Sequence, residues 1–163
     1  MSGDEFVERY GGIYEHSPWV AEGVKSLLEN SVPDTELLAN LMADCVDNAS
    51  VDTQLELIRA HPDLAGKAQV AGELTAESTE EQSKAGLDQC TTDEFEKFQS
   101  LNTAYKEKFS FPFIMAVRDS NRPEILEAFA SRLDNDYDTE FETALQEIHK
   151  IARLRLTALE NSQ

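Results

Sequence analysis

Three side chains, His61, Glu81 and Arg155, combine a reactive type with a telling position. His61 lies in the run AHPDLAGK, where Pro62 fixes its own φ and removes one amide donor. Proline also disfavours a helical residue before it, so His61 marks the end of a helix. An imidazole held at such a break is placed to project into a cleft. Its ordinary pKa lies near neutrality, as general acid–base work requires. The plainer alternative is a polar residue that caps the preceding helix. Glu81 is ambiguous in the same way. Ser78-Thr79-Glu80-Glu81 is a capping-box pattern, in which Glu81 bonds back to the Ser78 amide. The same helix start can equally present N–H groups and side chains to an anionic ligand.

Arg155 is singled out by periodicity. Phe141, Leu145, Ile148, Ala152 and Leu159 form an apolar stripe in steps of four and three on the last helix. Continuing from Ala152 lands on Arg155, whereas Arg153 falls on the polar side. A cation among core positions must be paired or functional, because burying it alone is prohibitive. An ion pair, a snorkelling side chain and a ligand contact all satisfy that condition. His16, in EHSPW, is expected to fix the corner before a helix. His149 falls toward the polar flank of the last helix and is expected to face solvent.

Other chemistries find no foothold. There is no H-E-x-x-H, no C-x-x-C and no second histidine near His61, so no metal site is expected. A glycine-rich phosphate loop and a G-x-S-x-G elbow are likewise absent from the sequence. Cys45 and Cys90 are isolated and read as reduced, structural thiols. The net charge of −18 opposes binding to nucleic acid and to anionic membranes. Solubility, in a saline cytoplasm, is the simple reason for such acidity. If the substrate is an anion, its site must be locally positive. The N-terminal MSGDEFVERYGG has no secretory pattern, no apolar run reaches the ~18 residues of a membrane span, and the terminal ENSQ is not a peroxisomal address.

The elements that must position these residues are helices. Ser17 as N-cap with Pro18 at the first helical position predicts a helix to about Glu29. Asp34 caps one to about Asp47, and Ser50 one from Val51 to Ala60. One or two turns follow between Asp63 and Val70, and Thr75 to Leu87 is helical. Thr91 with Glu94 forms a capping box for a helix to about Phe109. Its Phe95, Phe98, Asn102, Tyr105 and Phe109 share a face. Asn121 with Pro123 opens a helix to Leu133, and Thr139 with Glu142 caps a last one to about Leu159. The run FPFIMAV, residues 111–117, is strand-like but has no partner. The expectation is an all-α fold, a single compact domain of about eight helices spanning residues 1–163.

Five blocks, YGGIYEHSPWVAE, HPDLAGK, LTAESTEEQSKAGL, LNTAYKEKFSFPFIMAVR and EIHKIARLRL, occur in order over residues 10 to 156. Together they resemble the 2-oxo-4-hydroxy-4-carboxy-5-ureidoimidazoline (OHCU) decarboxylase family. The resemblance implies an all-α fold and decarboxylation of OHCU to (S)-allantoin and CO2 in urate breakdown, without a cofactor. It implies His61 as the catalytic histidine, with Pro62 lining the substrate. Glu81 is implied as the functional carboxylate within a segment Ser78, Thr79, Glu80 and Gln82, and Arg155 as the C-terminal arginine. Substrate contacts are implied from Phe113, Ile114, Met115, Ala116 and Val117. The resemblance also implies a homodimer, and the absence of the eukaryotic members' C-terminal peroxisomal tripeptide favours a cytoplasmic, bacterial version. OHCU carries its carboxylate beside an imine-like carbon that can accept the electrons released with CO2, so no cofactor sink is needed. His61 would then serve as general acid/base, with Glu81 and Arg155 orienting the substrate. A non-catalytic helical interaction module and a ureide hydrolase are the rival expectations.

Overall fold

Side-chain caps decide where most of the helices start. The computed structural model describes residues 3–28, 32–61, 63–64, 81–83, 86–87, 90–117 and 120–161. Among these, the helices are α1 (Gly3–Tyr10), α2 (Trp19–Lys25), α3 (Thr35–Asp47), α4 (Val51–Arg59), α5 (Thr92–Phe109), α6 (Arg122–Arg132) and α7 (Tyr137–Asn161). Residues 81–83 are helical as well, and no described residue is in a strand. The fold is all-α, as the sequence implied.

Asp34 accepts from the Leu37 amide and Ser50 from the Thr53 amide, opening α3 and α4. Thr91 with Glu94 and Asn121 with Glu124 form reciprocal capping boxes at α5 and α6. Two starts differ from expectation. Ser17 does not cap α2, because its hydroxyl donates to the Glu15 carbonyl at 2.9 Å; α2 begins at Trp19 and ends at Lys25. The cap of α7 is Asp136 rather than Thr139, since Asp136 Oδ1 accepts from the Thr139 amide at 2.8 Å. Helix α1 carries no signal that the sequence reading used. It is marked by buried Phe6, whose ring lies 4.8 Å from that of Tyr10.

The chain divides into two compact units, Met1–Ala60 with Ile148–Gln163, and His61–Glu147. In the first, α1 packs on α2 and α2 on α3. Its core includes Val20, Val24, Leu38, Met42, Val46, Leu57, Ile58, Ile148 and Leu156. In the second, α5 packs on α6, around a largely aromatic core. Tyr105 is fully buried, with ring centroids of Phe109, Phe113 and Phe129 at 4.5, 5.4 and 5.8 Å. Phe113 stacks on Phe129 at 3.9 Å.

The apolar stripe of α7 is rotated by one residue near its start. Glu140 and Ala144 are buried, while Phe141 and Leu145 are only half-buried. A carboxylate takes a core position there because it is fully satisfied. Tyr105 Oη donates to Glu140 at 2.6 Å, Arg132 Nε at 2.8 Å and Asn135 Nδ2 at 2.9 Å. Burial, reinforced by the Glu140 bond, pushes the Tyr105 phenol far above its ordinary pKa, so it remains a donor.

Two capping carboxylates make the fold sensitive to acid. The Thr91 amide, then Arg122, hold Glu94 below the usual carboxylate range, and the Thr139 amide does the same for Asp136. A lowered folded pKa adds stability above the unfolded value, and that stability is lost as pH falls through the folded value. Thermal melts of the wild type should therefore fall more steeply below the ordinary carboxylate range than melts of Glu94→Gln/Asp136→Asn. Parallel acid limbs would contradict this account.

Candidate functional site

His61 directly follows the C-cap of α4, Ala60, and is 8% exposed. The break expected at Pro62 is therefore present at His61, although Pro62 itself lies outside the described residues, as do Ser78, Thr79 and Glu80. The stretch just beyond is held by side chains from two other segments. Gln82 Nε2 donates to the Asp63 carbonyl at 3.3 Å, and Asn102 Nδ2 on α5 donates to the Leu64 carbonyl at 3.0 Å. Lys106, one turn along α5, pairs with the Asp63 carboxylate at 2.7 Å.

Glu81 is half-buried and Gln82 buried, both in the helical residues 81–83. The turn after them needs a glycine. Gly86 has φ +80, and a Cβ there would stand 2.9 Å from Arg122 Nη1. Arg122 donates to the Gly86 carbonyl at 2.8 Å and pairs with Glu94 at 3.0 Å, tying this turn to the starts of α5 and α6.

Residues 111–117 are in neither helix nor strand, with a bend at Phe111. Ser110, in the left-handed region at φ 63, ends α5 and redirects the chain. Arg132 donates to the Ile114 carbonyl at 2.5 Å and lies 4.4 Å over the Phe113 ring. Glu147 accepts from the Ala116 amide at 3.1 Å. Phe113, Ile114 and Val117 are buried, while Met115 and Ala116 are half-buried. Sequence reasoning placed this segment near substrate but missed Arg132, Glu140 and Glu147 as its supports. The charged Glu140 at a core step of α7 was the signal available.

His61, Glu81, Gln82 and Phe113 through Val117 thus belong to the second unit, and Arg155 to the first. Arg155 is buried and Arg153 exposed, as the stripe required. The ion-pair alternative for Arg155 is realised. Its Nη2 donates to Glu15 Oε2 at 2.9 Å, and its Nη1 approaches the Gly12 and Ile13 carbonyls at 3.3 and 3.4 Å. Glu15 is presented inward from a tight corner. His16 after it is exposed and sits in the left-handed region at φ 48, an uncommon conformation for a non-glycine residue.

His149 does not face open solvent. Its Nδ1 lies 2.8 Å from Tyr14 Oη and its Nε2 3.0 Å from Asp47 Oδ1. The carboxylate only accepts, so in the neutral ring the proton sits on Nε2 and Nδ1 accepts from Tyr14. Burial, aided by Asp47, pushes the Tyr14 phenol far above its ordinary pKa. Tyr14 and Glu15 are adjacent, so α7 grips this corner at two points.

No group of three or more possible metal ligands occurs among the described residues. A cavity of ≈ 390 Å³ in the first unit is lined by Arg9, Asp34, Leu38, Leu156 and Glu160 among others. None of the candidate residues lines it.

The helical arrangement has known counterparts among enzymes. A crystal structure of an (S)-allantoin synthase matches 98% of this chain with a TM-score of 0.78 at 35% identity; the match spans 50% of that structure's chain. A crystal structure of an OHCU decarboxylase in the presence of (S)-allantoin matches 93% of this chain and 96% of its own, with a TM-score of 0.72 at 25% identity. The 2-oxo-4-hydroxy-4-carboxy-5-ureidoimidazoline decarboxylase of Haloferax volcanii is 46% identical over 96% of this chain and 89% of that protein. The model of the OHCU decarboxylase family matches residues 1–157. The chain belongs to that family and is a carboxy-lyase.

The Glu15 contact gives Arg155 a stability role distinct from any role in binding. Arg155→Met removes the arginine partner of the buried Glu15 carboxylate and should cost about 3–5 kcal/mol. Arg153→Met, at an exposed position, should stay within ~0.5 kcal/mol. Urea unfolding of both variants measures the difference. Equal losses would mean that the Glu15–Arg155 pair contributes nothing to the fold.

Proposed function

We propose that this chain converts OHCU to (S)-allantoin and CO2 in urate catabolism, with His61 as general acid/base and Glu81 and Arg155 orienting the substrate. The observation that carries this is a match over nearly the whole chain to a family and to relatives named for that decarboxylation. The fold resemblance to a decarboxylase crystallised in the presence of (S)-allantoin supports it as well.

In this reading the two units act as one domain over residues 1–163. The ureide's own C=N takes up the electrons left by CO2, so a metal or organic cofactor has no task. His61 exchanges the proton of the substrate hydroxyl or of the carbanion centre, a task that imidazoles commonly perform. Glu81 holds ring N–H groups or the imidazole. Arg155 binds a carboxylate or carbonyl oxygen through its planar fork. Pro62, Ser78, Thr79, Glu80, Gln82 and residues 113–117 line the substrate. The enzyme works in the cytoplasm as a homodimer.

Freshly generated OHCU, followed by circular dichroism and CO2 release, tests the reading. Wild type should form (S)-allantoin with or without EDTA. A folded His61→Asn should lose about 10²–10⁴-fold in rate. Arg155→Lys keeps the charge but loses the fork, so kcat/KM should fall steeply, while Arg153→Lys leaves it unchanged. Near-normal turnover by a folded His61→Asn would make His61 structural and overturn its acid/base role, whereas ureide turnover without CO2 would overturn the decarboxylation and favour a hydrolase.

The oligomeric state is tested separately. Light scattering at working concentration should give twice the chain mass of 18.2 kDa. A mass of one chain would refute the homodimer.

A further inference from the structure

The buried face of α5 carries Phe98, Asn102, Tyr105 and Phe109. Three of these are aromatic and one is an amide. Asn102 is 3% exposed, and among the described residues its Oδ1 has no hydrogen-bond partner. A residue kept for packing alone would be apolar at this position, because a buried acceptor without a donor is unfavourable. What the asparagine supplies is its donor. The Leu64 carbonyl, 3.0 Å away, can only accept, so it is the NH2 end that faces it.

Leu64 is itself 6% exposed. Gln82, 3% exposed, donates to the preceding carbonyl of Asp63 at 3.3 Å. Two buried amides from different segments therefore hold two successive carbonyls, beginning two residues after His61. The exposed ion pair of Lys106 with Asp63 is screened by solvent and adds little. Between these anchors and His61 stands only residue 62, a proline whose ring fixes its φ. Few free torsions then separate the anchored carbonyls from the backbone that carries the imidazole.

We propose that Asn102 is a positioning residue for His61: by holding the Leu64 carbonyl from α5, jointly with Gln82 on the Asp63 carbonyl, it sets the direction of the His61 ring. This deepens the proposed function and rests on the assignment of His61 as acid/base. The orphan acceptor is the cost of placing a donor at that point of an otherwise aromatic helix face.

The test uses Asn102→Leu, which keeps approximate size but cannot donate, and Asn102→Asp, which keeps shape while setting an acceptor against the carbonyl. Ring ¹H–¹⁵N resonances of His16, His61 and His149 are assigned through single His→Asn variants and recorded at one fixed pH. Expected in either folded variant is displacement or broadening of the His61 signals alone, with those of His16 and His149 unmoved. With OHCU as substrate, kcat should fall about 10²-fold, the scale of a small misplacement, and KM should stay nearly constant. Unchanged His61 signals in a folded variant overturn the proposal. So does loss of fold in both variants, which would assign Asn102 to the core alone. If His61→Asn retains decarboxylation, the acid/base assignment fails, yet the resonances still report whether Asn102 positions the ring.

Discussion

Glu140 is wholly buried, and a carboxylate in an aromatic core is tolerable only when donors surround it. Tyr105, Arg132 and Asn135 supply those donors, and each ties Glu140 to a different stretch of the second unit. Tyr105 brings α5, with its four neighbouring phenylalanine rings. Arg132 brings the end of α6 and reaches on to the Ile114 carbonyl and the Phe113 ring. One buried charge thereby helps to fix the course of a segment, residues 111–117, that belongs to no helix or sheet. Removing a single partner would strand the others, which is the usual asymmetry of a buried polar network.

The first unit uses the same principle at its corner. Glu15 and Arg155 neutralise one another out of solvent, and the phenol–imidazole–carboxylate chain of Tyr14, His149 and Asp47 lies beside them. The left-handed backbone of His16 is the local strain that such a corner requires. Arg155 consequently has its guanidinium plane set by the protein, a condition for selective oxygen binding by a planar fork. That makes the structural and the ligand-binding accounts of this arginine compatible rather than exclusive.

The chain has 32 acidic and 14 basic residues, and among the described residues the buried acids are few and satisfied. Glu15 and Glu140 are the acidic residues buried among those described, and each has an arginine partner. Surface acidity sets solubility and long-range repulsion, while these inner pairs hold particular segments in place.

The sequence by itself determined the all-α class and most of the helix starts, because caps at Asp34, Ser50, Thr91 and Asn121 are local chemistry between residues three apart. It determined that His61 ends a helix, since proline acts on its immediate neighbour, and that Arg155 rather than Arg153 turns inward, since helical periodicity is also local. Tertiary structure decided whatever depended on distant partners. Glu140 displaced Phe141 from the core, and His149 was taken up by Tyr14 and Asp47. Those outcomes turn on whether a donor or acceptor far along the chain arrives within hydrogen-bonding distance, and spacing within one helix carries no trace of that.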